Sequence, residues 1–168
     1  MGFHKPVFFL TLLVTAGIGF SELEGSTPEQ GTSGQVMLIL RGIANSENPR
    51  GQLDDQSALE YAQRVGFRGE VLDVAGDAGA DSAQVRMALD RIRRDETVAA
   101  IYGFSGGGYN TRLIWSELTI EERGRVRTVV VVAGIANGDF TGGHDVIIKP
   151  DPPDGHMAGP KALLESLP

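Results

Sequence analysis

Gly103-Phe104-Ser105-Gly106-Gly107 is the segment of this chain best suited to chemistry. It follows the apolar run Val98-Ala99-Ala100-Ile101-Tyr102 and opens a stretch with helical character. A serine on so sharp a strand-to-helix turn projects its hydroxyl clear of the sheet, where it can attack a carbonyl. The glycines at 103 and 107 remove the Cβ atoms that would collide at such a turn. With 23 Gly in 168 residues the bare pattern arises readily by chance, so its partners must carry the reading. A serine hydroxyl is a poor nucleophile until a base takes its proton. That base is usually a histidine, held in one tautomer by a carboxylate.

The chain has three histidines. His4 falls in an apolar first segment. His144 directly precedes the last strand-like run and belongs toward the opposite end of a sheet. His156 follows that run, in Asp151-Pro152-Pro153-Asp154-Gly155-His156, and a base there can lean back over the sheet edge toward Ser105. For the acid, Asp139 after the fourth strand is the first choice and Asp151 the alternative. Asp154 is only two residues from His156, too near for a productive side-chain pair. Each of these aspartates also suits a turn beside Gly or Pro without any catalytic task. Acyl transfer further requires donors for an oxyanion. The Gly106 N–H at the helix start is one, and the loop after the first strand, around Gly42 and Ile43, is the expected source of another.

The elements that must position these groups alternate. Short apolar runs at 36–40, 70–74, 97–102, 128–132 and 145–149 read as strands, the fourth wholly of β-branched residues. Between them, Ala58, Leu59, Ala62 and Val65 recur at helical spacing, as do Val85, Leu89 and Ile92. Asp81 with Gln84, and Thr119 with Glu122, have the spacing of capping boxes. Leu113, Ile114, Trp115 and Leu118 follow the serine turn, and Pro160 opens a final helix through Leu167. This order predicts an α/β three-layer sandwich: a mostly parallel five-stranded sheet with helices on both faces. Ligands of such sheets bind beyond the carboxyl ends of the strands. Ser105, Gly42, Asp139 and His156 all follow strands, so all can gather on that edge.

Composition narrows the class. Hydrophobic residues make up 41% and charged residues 22%, the balance of a soluble globular domain. The net charge of −7 argues against a nucleic-acid partner. Arg91, Arg93 and Arg94 read as the solvated face of an amphipathic helix. Absence of cysteine excludes disulfides and thiolate chemistry. His4-Lys5 ahead of the apolar run Val7–Phe20 fits a signal peptide over residues 1–20, too short for a comfortable transmembrane helix. The expected organisation is therefore a leader at 1–20, a linker at 21–35 and one domain at 36–168. A cleaved leader implies export to a periplasm or medium, with no membrane span remaining; an uncleaved segment implies a membrane-anchored or cytoplasmic protein.

Gly103-Phe104-Ser105-Gly106-Gly107 between strand and helix, and the chain order Ser105, Asp, His156, together resemble the α/β-hydrolase family over residues 36–168. In size the chain is similar to the small lidless, cutinase-like or minimal members. The resemblance implies hydrolysis of a small ester or amide through an acyl-enzyme, with no cofactor. Arg41-Gly42-Ile43 stands where the family often has a glycine-rich His-Gly motif. Three other functions use the same residues. A catalytically inactive relative would keep the fold without the chemistry. An anion-binding module would use Ser105-Gly106-Gly107-Gly108, although the Gly-Lys-Ser/Thr ending of a phosphate loop is missing. A metal site could draw on Asp139, His144, Asp145, Asp151, Asp154 and His156, whose spacing is not diagnostic.

Overall fold

A computed structural model describes residues 34–77, 79, 81–134, 140 and 145–168. Five strands, β1 (Val36–Leu40), β2 (Arg68–Leu72), β3 (Val98–Phe104), β4 (Thr128–Val132) and β5 (Asp145–Lys149), form one all-parallel sheet in the order β2-β1-β3-β4-β5. Parallel pairing requires a crossover after each strand. Four helices supply three of these: α1 (Asp55–Arg64), α2 (Ala83–Arg94), and α3 (Gly106–Glu117) with the short α4 (Ile120–Arg125). A 3-10 turn at His156–Ala158 leads into the last helix, α5 (Gly159–Glu165). The expected leader and most of the expected linker lie outside the described residues. No helix among the described residues is long and apolar enough to cross a membrane.

Both sheet faces are apolar because both are covered. Val36, Leu38 and Leu40 join Val85, Ile92, Ile114 and Trp115 under α2 and α3. Met37 and Ile39 alternate to the other face and join Ala58, Tyr61, Leu163 and Leu164 under α1 and α5. Pairing of β1 with β3 skips from Val36↔Val98 to Met37↔Ala100, so Ala99 is an extra residue. That bulge inverts the alternation of β3. Val98 therefore shares a face with Ile101, while Ala100, Tyr102 and Phe104 face α1 and α5.

Several expected boundaries shift. β2 runs over 68–72 rather than 70–74, because its register with β1 is Val36↔Arg68 through Leu40↔Leu72. β3 continues past Tyr102 to Phe104, paired to the end with β4. α5 stops at Glu165 rather than reaching Leu167. The Thr119–Glu122 capping box forms, with Thr119 N–H donating to Glu122 and Glu122 N–H to Thr119. The Asp81–Gln84 box does not form. Ser82 stands at the N-cap of α2 without a side-chain cap, and the wholly buried Gln84 turns inward.

Arg91 is not simply a solvated residue. Its guanidinium donates in a fork to both carboxylate oxygens of Glu70 on β2, at 2.7 and 2.8 Å, and reaches Asp95. This fork pins the edge strand to α2, and its hydrogen bonds hold the Glu70 carboxyl below its ordinary value of 4.5. The bond from Thr119 N–H lowers Glu122 likewise. The unfolded chain thus takes up these protons at a higher pH than the folded one, so the associated stability is present above about 4.5 and is lost as the pH falls further. The melting temperature should decline as pH falls below 4.5, and Arg91→Met should flatten part of that decline. Identical profiles for the two proteins would show that the fork contributes nothing.

Candidate active site

β1 occupies the inner position from which the chain leaves first to β2 and then, on its other side, to β3. The carboxyl ends of β1 and β3 thus flank the topological switch point, where open α/β sheets bind ligands. Leu40 and Gly103 are register partners, so the loops that leave β1 and β3 run side by side. Only residues without a Cβ fit at this approach. A Cβ on Gly107 would lie 2.6 Å from Leu40 O and 2.5 Å from Arg41 O. A Cβ on Gly103 would strike Thr111 Oγ1 and lie 2.5 Å from Gly107 O.

The chain reverses from β3 into α3 on Ser105 itself, at φ 53° and ψ −118°. Apart from Ala133, Ser105 is the only non-glycine with positive φ among the described residues. Such a conformation costs on the order of 1–3 kcal/mol and persists where the surroundings enforce it. Here Ser105 N–H donates to Val132 O at 2.9 Å, and Ser105 O accepts from Gly108 N–H at 2.9 Å. The side chain is partly exposed, and Oγ has no hydrogen-bond partner among the described residues.

Ser105, Gly106, Asp151 and His156 line a common cavity of about 560 Å³. Ile43, Tyr109, Ala133 and Gly134 complete its wall. His156 Nδ1 lies 2.7 Å from Asp151 Oδ1, and the side chains are 39% and 60% exposed. The Phe104 ring packs against the imidazole, with centroids 5.1 Å apart. Asp151 thus takes the position of the orienting acid. Asp139 and His144 lie outside the described residues. No direct Ser105–His156 hydrogen bond is formed, which is common before substrate draws the groups together.

The two proposed sources of the second oxyanion donor are not equivalent. Gly42 N–H donates to Gln52 O at 2.7 Å and is committed. Gly42 serves instead as clearance, since its Cβ would lie 3.0 Å from the Ser105 Cβ. Ile43 N–H and Gly106 N–H have no partner among the described residues, and both residues line the cavity. Arg41, just upstream, is fixed by a two-pronged bond from its guanidinium to Asp55, at 2.8 and 2.5 Å. Nothing in the sequence singled out Phe104 or Tyr109, which read as ordinary apolar residues.

Of the six candidate metal ligands, Asp139 and His144 lie outside the described residues, and the other four do not gather into a cluster. Asp145 begins β5, at the amino end of the sheet, whereas Asp151 and His156 lie beyond its carboxyl end. Among the described residues no three ligand-type side chains gather. Asp145 instead borders a separate cavity of about 820 Å³ with Tyr61, Phe67 and Arg127. That cavity is larger, but it sits at the edge opposite to Ser105 and has no serine or histidine among the described residues that line it.

No protein-family model and no curated protein matches this chain. The strain at Ser105 has a measurable consequence. Ser105→Gly should raise the unfolding free energy by about 1 kcal/mol, because glycine occupies this backbone region freely, whereas Ser105→Ala should not. Equal urea midpoints for the two variants would show that the turn is unstrained.

Proposed function

We propose that this protein is a serine hydrolase of the α/β-hydrolase kind, cleaving small neutral esters or amides through an acyl-enzyme. One observation carries the reading: a serine held at positive φ between strand and helix shares a cavity with a histidine whose Nδ1 is held by a carboxylate. With Nδ1–H donating to Asp151, the Nε2 lone pair is left to accept a proton.

The reaction follows from those roles. Ser105 Oγ attacks the substrate carbonyl carbon while His156 Nε2 takes the hydroxyl proton. The charge that develops on the carbonyl oxygen is met by the N–H groups of Gly106 and Ile43, at the positive end of α3. His156 then passes its proton to the leaving alkoxide or amine as the carbon–heteroatom bond breaks. Water, deprotonated by His156, attacks the acyl-serine and releases the acid, and the proton returns to Ser105.

The cavity suits a neutral acyl group. Ile43, Tyr109 and Ala133 offer apolar surface, and the one carboxylate among the described residues that line it, Asp151, is engaged by His156. A charged acyl chain would lose hydration without gaining a counter-charge. If the apolar first segment acts as a leader, this chemistry belongs outside the cytoplasm. The unpartnered N–H groups of Ile43 and Gly106 also favour a second reading, an anion-binding module without turnover.

A fluorophosphonate probe should label Ser105 in the folded wild type, and p-nitrophenyl acetate should be hydrolysed. Ser105→Ala should abolish both. His156→Ala should slow hydrolysis at least a hundredfold, Asp151→Asn at least tenfold, and Asp154→Asn hardly at all. A folded wild type that neither reacts with the probe nor hydrolyses the ester would overturn the hydrolase reading. Protection of the Gly106 amide by inorganic phosphate in that case would establish the second one.

A further inference from the structure

Gln84 lies on α2, is completely buried, and does not touch the cavity. Its side-chain amide nevertheless joins three segments, two of which, the loop after β1 and α3, line the cavity through Ile43, Gly106 and Tyr109. Nε2 donates to Arg41 O at 3.0 Å, in the loop after β1, and to Val74 O at 2.9 Å, in the loop after β2. Oε1 accepts from Asn110 Nδ2 at 3.0 Å, on α3. Asn110 Nδ2 also reaches Ser82 Oγ at 3.2 Å, and that hydroxyl donates to Asp77 at 2.5 Å. The two backbone carbonyls require donors, so the amide orientation is unambiguous.

What these bonds hold is the direction of one peptide group. The 41–42 peptide is gripped on both sides, its carbonyl by Gln84 and its N–H by Gln52 O. In the next peptide the Gly42 carbonyl accepts from Gly76 N–H at 2.9 Å. A planar trans peptide carries its N–H opposite to its C=O, so Ile43 N–H is turned away from Gly76. Gly76 itself sits two residues beyond Val74, the second carbonyl that Gln84 holds. It is wedged against the start of α3, where a Cβ on it would lie 2.6 Å from Gly107 N. Both partners of the Gly42–Gly76 bond are therefore placed by the same side chain.

We propose that Gln84 is a positioning residue of the active site: by holding the loops after β1 and β2 together, it orients the Ile43 N–H as an oxyanion donor. This rests on the serine-hydrolase reading for its catalytic consequence, and on the backbone hydrogen bonds alone for its structural one. A misplacement of about 1 Å at a site of this kind can cost on the order of a hundredfold in rate.

The test compares Gln84→Met, which keeps length and removes both donors, with Val85→Ala, a core truncation on the same helix that leaves the loops alone. Both are assayed with p-nitrophenyl acetate well below their melting temperatures. Gln84→Met should lower kcat at least tenfold with KM within about twofold, and Val85→Ala should leave both unchanged. Full kcat in Gln84→Met, or equal losses in the two variants, would refute the positioning role. Should Gln84→Met not fold, Asn110→Leu removes the donor that orients Oε1, together with its bond to Ser82, while leaving Gln84 Nε2 in place, and kcat should still fall severalfold. Should the wild type hydrolyse nothing, amide exchange decides. Gly42 and Gly76 N–H should exchange faster in Gln84→Met or Asn110→Leu than in Val85→Ala, and unchanged exchange would refute the proposal independently of any activity.

Discussion

Leu40 and Arg41 leave β1 with their carbonyl oxygens facing Gly107, at a separation that leaves no room for even one methyl group. This close approach lets the loop after β1 and the first turn of α3 form one wall, and the other features of the site depend on it. Glycine at 107 makes the approach sterically possible, but it supplies no attraction. The carbonyls at this wall lie out of water and would be costly if left unpaired. Gln84 supplies a donor to the Arg41 carbonyl and Gly76 N–H one to the next carbonyl, that of Gly42, so hydrogen bonding completes what the missing Cβ atoms permit.

The same constraint explains why the reversal falls on a serine at positive φ. Phe104 remains paired to Val132 to the end of β3, and Gly106 already belongs to α3. One residue is left to change direction, and it has no freedom to relax toward an ordinary conformation. Strain at Ser105 is therefore offset by the ladder before it and the helix after it. The return for that strain is a hydroxyl lifted off the sheet beside the unpaired amides at the start of α3.

Much of this was legible in the sequence because both patterns involved are local. Alternating apolar runs and helical stripes announced the α/β order, and Gly-x-Ser-x-Gly between them announced the turn. The failures share a different cause. Gln84 has capping-box spacing from Asp81, but two buried carbonyls on distant loops compete for its amide and outweigh the local cap. Residues 73–74 look like strand by composition, yet register with β1 ends β2 at Leu72. Gly42 was expected as a donor, and its N–H is taken by Gln52, a contact that no local pattern announces. The first choice of acid, Asp139, lies outside the described residues, whereas the alternative, Asp151, meets His156. Its contact with His156 depends on how the Pro152-Pro153 turn folds back, which periodicity does not describe.

The His156–Asp151 pair is more exposed than the serine turn, and that difference has mechanistic weight. In high dielectric an ion pair contributes little stability, so on the proposed reading the task of Asp151 is to select a tautomer and a ring direction. The Phe104 ring constrains the imidazole from the other side. Phe104 directly precedes Ser105 and is completely buried, so the imidazole is referenced to the same strand that carries the serine. On the proposed serine-hydrolase reading, a nucleophile and oxyanion wall built on β3, α3 and the loop after β1 thus face a base held on the 3-10 turn that follows β5.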